Sequence, residues 1–310
     1  MKSDNVLHDK DVPVAVKGLS RRFGRKLALD DVSVEVPKGR VYGLVGENGA
    51  GKTTLIKHIL GLLVPSAGSV SVFGMDPVAE PERVLARIGY LSENRDLPNW
   101  MRISELIRFT RAFYPDWSQD YAEELLKIFD LDPSAKVKNL SRGERAQTGL
   151  LIALAHRPEL LVLDEPSSGL DPVVRRDILS AVIRTTADEG RTVLFSSHLL
   201  EEVERVADYV TMINKGRVVL SASMDDVREG HRLVTLRFST PQQAAPKIPD
   251  AFSCEGADEE WTVLCNGGLD ALKASAEAMG AVVVDERTPS LEDIFVARVR
   301  ASRHSARRGA

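Results

Sequence analysis

The residues Gly46-Glu47-Asn48-Gly49-Ala50-Gly51-Lys52-Thr53 form a glycine-rich stretch that matches the pattern G-x-x-x-x-G-K-[ST]. The short apolar run Val41-Tyr42-Gly43-Leu44-Val45 precedes it and is typical of a buried strand. The spacing from Thr54 to Leu63 predicts a helix after it, which Pro65 and Gly68 end. Strand, glycine-rich loop and helix, in this order, are the setting in which such a loop binds phosphate. We therefore predict a nucleoside triphosphate site here.

Each fixed element of this loop has a chemical reason. Glycine permits the tight curvature that turns amide hydrogens toward phosphate oxygens, and the helix start adds partial positive charge. Lys52 is placed to neutralise the β and γ phosphates, and the Thr53 hydroxyl to bind a magnesium ion. The residues predicted to bind the nucleotide are Gly46, Asn48, Gly49, Ala50, Gly51, Lys52, Thr53 and Thr54. The alternative is a glycine loop that only turns a corner, which the flanking strand and helix disfavour.

A second apolar run, Leu160-Leu161-Val162-Leu163, ends in the two acids Asp164 and Glu165. Ligands of open α/β folds bind at the carboxyl ends of the strands, so both acids are expected beside the phosphate loop. Asp164 is suited to hold a magnesium ion through water, and Glu165 to act as general base on the attacking water. The alternative is a solvated strand end with incidental acids. Joined to the phosphate loop, the acids predict a nucleoside triphosphatase.

Short β-rich runs alternate with helical stretches through the first two thirds of the chain. Strands are predicted at Val12–Val16, Leu29–Val36 and Val193–Ser196, and a helix at Val173–Asp188. This alternation is typical of a parallel sheet with crossover helices, so the core is predicted to be α/β. Between about residues 94 and 157 the pattern becomes helical, which predicts a helical insertion.

The helical insertion contains apolar residues whose spacing predicts buried faces. They are Leu106, Ile107, Phe109, Phe113, Tyr114, Leu125, Leu126, Ile128 and Phe129. We interpret the aromatic residues of this region mainly as its core; they are Trp100, Phe113, Tyr114 and Trp117. This interpretation predicts that their rings are shielded from solvent.

The pattern changes again from about Ser223 onward. Strands are predicted at Leu233–Phe238, Trp261–Leu264 and Ala281–Val284, with helices at Leu269–Ala278 and Leu291–Val299. This combination predicts a small α+β appendage. The stretch Ser221–Gly230 resembles a loop, so we place the domain boundary there and predict domains of residues 1–222 and 223–310.

Composition excludes several classes of protein. The formal net charge of -4 over 310 residues, with both signs interspersed, argues against a broad face for nucleic acid. Only the tail Arg298–Arg308 is plainly basic. The polar start, residues 1–11, lacks the layout of a secretory signal, and no apolar run has the length of a transmembrane helix, so the cytoplasm is expected. Cys254 and Cys265 lack metal-ligand spacing and are predicted to be free thiols, with a disulfide as the alternative.

The segment Leu140-Ser141-Arg142-Gly143-Glu144 precedes the second apolar run and resembles the signature LSGGQ of ATP-binding-cassette (ABC) ATPases. Other residues follow the order of this family. Phe23 resembles the aromatic residue that stacks on adenine, and Glu93 occupies the position of the glutamine that links nucleotide to transporter. Ser168-Gly169-Leu170-Asp171 resembles the loop that crosses the dimer, and His198 resembles the switch histidine at the γ-phosphate.

The resemblance implies a P-loop ATPase fold over about residues 14–222, with ATP and Mg²⁺ as cofactors. It implies that Glu165 is the general base, that Lys52 and His198 stabilise developing charge, and that Thr53, Glu93 and Asp164 serve the metal. It also implies a homodimer, or a heterodimer with a related cassette. The phosphate loop of one chain would then be completed by the other chain's Ser141, Gly143 and Asp171.

The resemblance further implies a partner in the membrane. This partner is a separately encoded transmembrane permease, and the chain is expected on the inner face of the cell membrane. One or two of the insertion's aromatic residues would line the groove where the permease docks. The segments at 65–68, 113–117 and 289–295 resemble bacterial export cassettes that serve antibiotics, lipids or other hydrophobic cargo.

Alternatives and departures accompany this resemblance. Ser141-x-x-Glu144 is also an ordinary helix-capping box, which is compatible with an anion site at the same helix start. Arg142 stands where the family has a second glycine, and Glu93 cannot donate the amide hydrogen bond of a glutamine. A soluble cassette without a transporter and a GTPase or small-molecule kinase are the rival classes. The stretch Asn214-Lys215-Gly216 lacks the aspartate that reads guanine.

Overall fold

The computed structural model describes residues 12–187, 190–248 and 251–308, with side chains up to residue 300. The polar start lies wholly outside these ranges, and two further predictions lie partly outside them: the last residue of the helix expected at Val173–Asp188, and most side chains of the basic tail. The chain divides into two compact units, Met1–Ser221 and Ala222–Ala310. No helix in the described part of the chain has the length and apolar character that crossing a lipid bilayer requires.

Strands and helices alternate along the first unit, as the sequence predicts. Its strands are β1 (Val14–Phe23), β2 (Lys26–Val36), β3 (Val41–Val45), β4 (Ala67–Val72), β5 (Ile88–Leu91), β6 (Leu160–Asp164), β7 (Thr192–Ser197), β8 (Tyr209–Asn214) and β9 (Arg217–Ser223). Its helices are α1 (Lys52–Ile59), α2 (Pro81–Leu85), α3 (Ile103–Arg111), α4 (Gln119–Ile128), α5 (Arg142–Leu154), α6 (Pro172–Ala187) and α7 (Leu200–Val206).

A six-stranded sheet with the order β5-β6-β7-β3-β8-β9 forms the centre of this unit. The neighbours from β5 to β8 in this order pair in parallel. Every residue of β3 and of β6 is buried, as expected for parallel strands covered on both faces. The α/β prediction is therefore confirmed. Because β3, β6 and β7 are adjacent and parallel, the loops after their carboxyl ends meet at one edge of the sheet.

A separate antiparallel sheet with the order β2-β1-β4 packs against the core. Val14 is central in it, because it pairs with Val36 on one side and with Val72 on the other. Valine and leucine side chains of both sheets form one hydrophobic cluster with α1. This packing fixes the start of α1, and so the phosphate loop, against two sheets at once.

The helix after the phosphate loop is shorter than the sequence pattern predicts. It begins at Lys52 and ends at Ile59, whereas Thr54–Leu63 was expected. The reason is Gly61, which has a left-handed backbone with φ 70° and approaches the Pro77 carbonyl oxygen so closely that a Cβ atom would lie 2.2 Å from it. A left-handed glycine ends helices readily, so the apolar residues beyond it lie outside α1.

The helical insertion is present as α3, α4 and α5, but the prediction of its core is partly wrong. Trp100 is 73 % exposed and Phe113 is 65 % exposed, and Phe109 and Ile128 are also exposed. Tyr114 and Trp117 are only half-buried, with the Tyr114 ring stacked on His156 at 3.9 Å. Helical spacing assigns residues to a face, but it does not say which protein covers that face.

The second unit is an α+β fold. It contains α8 (Met224–Gly230), β10 (His231–Gln242), β11 (Ala251–Asn266), α9 (Leu269–Ala278), β12 (Ala281–Arg287) and α10 (Leu291–Arg308). Its antiparallel sheet has the order β11-β10-β12, and the cysteines Cys254 and Cys265 are free. The prediction of a loop at Ser221–Gly230 is wrong: β9 continues to Ser223, and the Ser223 hydroxyl then caps α8 by accepting from the Asp226 amide at 3.0 Å.

Candidate nucleotide site

The phosphate loop is positioned by steric contacts that only glycine tolerates. Gly51 has φ 120°, and a Cβ atom there would lie 2.8 Å from both the Ala28 carbonyl oxygen and a Leu29 methyl group. Helix α1 begins directly after it, with no side-chain hydrogen bond at its cap and no acid in its first turn. The first amide groups of a helix lack partners within the helix. The loop therefore presents amide hydrogens and partial positive charge to an anion.

Lys52 lies at the centre of the site and is buried. Its Nζ donates to the Gly46 carbonyl oxygen at 2.6 Å and lies 2.9 Å from Glu165 Oε1. The Lys52 and Glu165 side chains are only 5 % and 4 % exposed. A buried cation and anion at this distance attract each other strongly because water screens them little. A triphosphate entering the site would compete for the same ammonium group.

His198 contacts the other oxygen of the Glu165 carboxylate. Its Nδ1 lies 2.7 Å from Glu165 Oε2, and its backbone amide donates to the same oxygen at 3.3 Å. An ionised carboxylate only accepts hydrogen bonds, so Nδ1 carries the proton in this contact. Glu165 has a left-handed backbone with φ 48°, which turns the chain sharply after β6 and directs the carboxylate toward His198. The structure thus brings together the three residues predicted to be catalytic.

Asp164 and Thr53 form the second polar pair of the site. The Thr53 hydroxyl donates to Asp164 Oδ1 at 3.2 Å, and the Ser196 hydroxyl donates to the same oxygen at 2.7 Å. Burial raises the pKa of Asp164 above its ordinary value, although the bonds from Ser196 and Thr53 oppose this shift. The pair offers oxygen atoms of the kind that Mg²⁺ prefers.

Ser196 was not predicted as a site residue. Besides its bond to Asp164, its Oγ accepts from the Glu165 amide at 2.9 Å, so one hydroxyl holds both acids. Its residue type gave a signal, because a serine at the end of the apolar run of β7 needs a polar partner. The partner itself depends on the pairing of Asp164 with Ser196 across β6 and β7, which the sequence alone does not specify.

A cavity of about 250 Å³ opens over the phosphate loop. Phe23, Lys26, Glu93 and Glu165 line it, together with Asn48, Gly49, Gly51, Lys52, Thr53 and Thr54 of the phosphate loop and the start of α1. The Phe23 ring is 45 % exposed, and the Arg21 guanidinium lies 4.9 Å from its centre. A second cavity of about 450 Å³ contains Thr53, Glu93 and Asp164. Glu93 therefore shares this cavity with Thr53 and Asp164, the two other residues predicted to serve the metal.

Five residues predicted to bind nucleotide do not line either cavity of this chain: Gly46 and Ala50, which belong to the phosphate loop itself, and Ser141, Gly143 and Asp171, which lie outside that loop. The Ser141 hydroxyl accepts from the Glu144 amide at 3.2 Å, and Glu144 accepts from the Ser141 amide at 2.8 Å, so the capping box is formed. Asp171 Oδ1 accepts from the amides of Val173 and Val174 at the start of α6. The two helix starts are thus ordered by their own chain without reaching Lys52.

Comparison with known proteins gives a consistent result. The family model described as ABC transporter matches residues 29–168. The daunorubicin resistance ATP-binding protein DrrA3 of Streptomyces coeruleorubidus is 36 % identical over 302 residues, which covers 92 % of this chain and 95 % of that protein. The Nod factor export ATP-binding protein I of Rhizobium johnstonii is 31 % identical over 297 residues, with 92 % and 94 % covered.

A solved structure supports the same assignment. The ATP-binding subunit of an ABC transporter superposes with a TM-score of 0.64 at 32 % identity, covering 70 % of this chain and 92 % of that one. The matched family region contains the phosphate loop, the signature segment and both acids. This chain belongs to the ABC transporter family, among its ATP-binding proteins.

Proposed function

We propose that this chain binds and hydrolyses ATP as the nucleotide-binding subunit of an ABC transporter whose membrane permease is a separate polypeptide. The observation that carries the proposal is the buried contact of Lys52 with Glu165, and of Glu165 with His198, beside the phosphate loop. The relatives that match along nearly their whole length are ATP-binding proteins, and the name of one of them refers to export. Export is accordingly the direction that we propose.

The chemistry follows from the charges in the site. ATP would place its γ-phosphate near Lys52, whose ammonium exchanges the Gly46 carbonyl and Glu165 for phosphate oxygens. Glu165, released from this ion pair, accepts a proton from water while the water oxygen attacks γ-phosphorus and ADP leaves. His198 and Lys52 stabilise the negative charge on the transferred group. Phe23, on the rim of the cavity, offers its ring to adenine.

The residues present fit a magnesium ion. Thr53 Oγ1 and Asp164 Oδ1 are already within hydrogen-bond distance of each other, and Glu93 lines the same cavity. In the described ranges no group of three or more His, Cys, Asp or Glu could hold a metal, so a cation here would need further oxygen ligands from phosphate or water. When bound, it would supply positive charge to the β and γ phosphates. Burial raises the pKa of Asp164, and a neighbouring cation would keep that carboxyl ionised.

The active form that we propose is a pair of chains. Ser141 lies at the start of α5, which has 13 residues and a formed capping box, and this start is an anion site by its partial charge. Within one chain, neither Ser141 nor Gly143 lines the cavity over the phosphate loop. A second chain placed head to tail would bring this helix start to the γ-phosphate. The partner is an identical chain or a related cassette.

The remaining assignments are part of the same proposal. We take residues 1–222 as the nucleotide-binding domain and 223–310 as an appendage with a basic tail. The permease would dock on the helical insertion, where the exposed Trp100 and Phe113 offer apolar surface. The chain would then work at the cytoplasmic face of the cell membrane, with no role for nucleic acid.

Replacing Glu165 tests the proposed chemistry directly. We expect Glu165→Gln to lower kcat for ATP hydrolysis by about 10²- to 10⁴-fold, because the amide cannot accept the proton of the attacking water. The dissociation constant of ATP should change little. The matched control is Glu159→Gln, just before the first residue of β6, where Glu159 pairs with Arg87 at the surface. A Glu165→Gln chain that hydrolyses ATP at the normal rate would remove Glu165 as the base.

A further inference from the structure

Arg95 is a buried arginine in the loop that carries Glu93, and the proposed chemistry does not use it. It is 8 % exposed and has a left-handed backbone with φ 51°. Its Nη2 donates to two main-chain carbonyl oxygens, that of Ser168 at 2.6 Å and that of Pro166 at 3.2 Å. Both carbonyls belong to the segment that follows Glu165. We call residues 92–96 the Glu93 loop and residues 166–171 the Pro166 segment.

The guanidinium group is suited to hold a segment in place. It is planar, its donors have a fixed geometry, and it stays charged in proteins. Burial, and more weakly the neighbouring Arg142, lowers the pKa of Arg95. A buried charge is costly unless hydrogen bonds compensate it, and here both carbonyls of the Pro166 segment accept from Nη2, while the buried Nε has no hydrogen-bond partner among the described residues. Separating the two segments would therefore leave the guanidinium and the two carbonyls with fewer hydrogen-bond partners.

The Pro166 segment is attached on its other side to the loop of His198. The Ser167 hydroxyl donates to Glu202 Oε2 at 2.6 Å, and the Ser197 hydroxyl donates to the same oxygen at 3.0 Å. Glu202 Oε1 lies 3.3 Å from Arg175 Nε on α6. Ser167, Ser197 and Glu202 are all buried. Polar contacts thus run from the Glu93 loop through the Pro166 segment to the residue before His198.

We propose that Arg95 is a positioning residue that couples the Glu93 loop to the Pro166 segment. When the Glu93 loop moves, Arg95 carries the carbonyls of Pro166 and Ser168 with it. Ser167 and Glu202 then transmit this shift to the loop of His198. The position of Asp171, at the end of the segment, depends on the same contact. The coupling rests on the proposed function, because Glu93 and His198 lie beside the nucleotide only if the cavity over Lys52 binds ATP.

The test compares Arg95→Met and Arg95→Lys with the parent chain. Methionine fills similar volume without a charge, and lysine keeps the charge but loses the forked donors. We expect Arg95→Met to bind ATP within about twofold of the parent and to lower kcat at least tenfold, which corresponds to about 1.4 kcal/mol. Arg95→Lys should fall between the two. The matched control is Arg102→Ala, because Arg102 also donates to a main-chain carbonyl, that of Ser134, but away from the nucleotide site.

A second readout separates coupling from a merely structural role. We expect MgATP to make chains that carry Glu165→Gln alone form dimers. We expect the additional Arg95→Met to weaken this dimerisation at least tenfold while ATP affinity is retained. Combining Arg95→Met with Ser167→Ala should lower kcat by less than the product of the two single effects, because both act through one network.

The outcomes distinguish the two proposals. If Glu165→Gln alone neither pairs nor slows hydrolysis, the proposed function fails. If Glu165→Gln behaves as expected but Arg95→Met keeps the parent's kcat and pairing, only the role of Arg95 is overturned. A kcat loss that is multiplicative with that of Ser167→Ala would also overturn it. Should Arg95→Met fail to fold, Arg95→Lys decides: a normal kcat contradicts the coupling, and a reduced kcat with normal ATP affinity supports it.

Discussion

A single hydroxyl, that of Ser196, forms hydrogen bonds to both acids of the site. Ser196 Oγ donates to Asp164 and accepts from the Glu165 amide, and the residue is fully buried. Glu165 has a left-handed backbone, which costs free energy in a residue other than glycine and persists only where surrounding contacts enforce it. The bond from the Glu165 amide to Ser196 is one of those contacts. The Ser196 side chain therefore supports both stability and the direction of the carboxylate that we propose as the general base.

We expect Ser196→Ala to lower the free energy of unfolding by about 2 kcal/mol, because it leaves a buried amide and a carboxylate oxygen with one partner fewer. The value of kcat should fall as well, since Glu165 loses one of the contacts that hold its backbone. Chemical denaturation and ATPase assays measure the two effects. The control is the exposed Ser69→Ala in β4, which should change stability by no more than about 0.5 kcal/mol. Equal stability of the two variants would contradict this account.

Glu93 is a carboxylate at the position where the sequence resemblance leads us to expect a neutral glutamine. It lines both cavities beside Thr53, so its charge repels an uncompensated triphosphate. We expect Glu93→Gln to strengthen binding of ATP in the presence of EDTA by about threefold to tenfold, at about 1 kcal/mol for such a charge pair in water. Binding of MgATP should change less, because the cation screens the carboxylate. Titration with a fluorescent ATP analogue checks this, and an equal gain with and without Mg²⁺ would refute the electrostatic reading.

At the scale of helices and strands, a buried histidine lies between the end of α5 and the edge strand β5 of the main sheet. His156 follows α5, its ring stacks on Tyr114, and its Nε2 donates to the Ile88 carbonyl oxygen at 3.1 Å. Burial lowers the pKa of His156 below its ordinary value, and the nearby Arg191 adds to this shift, while backbone bonds to Ile88 and Ile152 oppose it. The folded state therefore favours the neutral ring.

The pH dependence of stability follows from this sign. A depressed folded-state pKa gives stability that is complete above the unfolded pKa, about 6.5, and is lost as the pH falls below it. We expect His156→Gln, which keeps a donor for Ile88, to flatten the fall in the free energy of unfolding between about pH 7 and 5. The difference in slope should reach at most about 1.4 kcal/mol per pH unit. Denaturation across this range measures it, and parallel curves for the two chains would contradict the assignment.

The elements that could be predicted from sequence are those whose local pattern and environment agree. The run of β3 and the helix Leu269–Ala278 match their predicted bounds, because turn residues delimit both of them. The charged residues of the stretch at 221–230 favour a loop in the sequence, whereas the Ser223 cap starts the short helix α8 there. Phe113 was assigned to the core because spacing defines a face without showing whether this chain covers it.

The same reasoning applies to the site. The end of an apolar strand predicts that Glu165 lies beside Lys52, the family resemblance adds His198, and the structure places both residues in contact with Glu165. Motif order does not predict the bonds of Ser196 or Arg95, since these depend on strand register and on loop conformation. The contacts that position catalytic groups were therefore visible only in the folded chain.

At the scale of the whole molecule, the residues predicted to complete the site lie apart from the cavity over the phosphate loop of their own chain. The start of α5, with Ser141, is preformed by its capping box but does not line the chain's own cavity. Because this helix start is ordered before any partner binds, little conformational entropy would be lost if it bound the nucleotide of a second chain, as we propose. Pairing would then depend on nucleotide, because the triphosphate bridges the two anion sites.

We expect Glu165→Gln chains with MgATP to form a species of twice the 34.0 kDa mass of one chain, and Ser141→Ala in this background to weaken pairing at least tenfold. The matched control is Ser118→Ala, which removes the cap of α4 in the same way, at about 1 kcal/mol for either helix. Both variants should bind ATP like their parent, because neither serine lines the cavity over Lys52. Sedimentation at several concentrations measures the association. If the two serine variants paired equally well, Ser141 would contribute only to the stability of α5. A Glu165→Gln chain that stays monomeric with bound ATP would refute a site shared between chains.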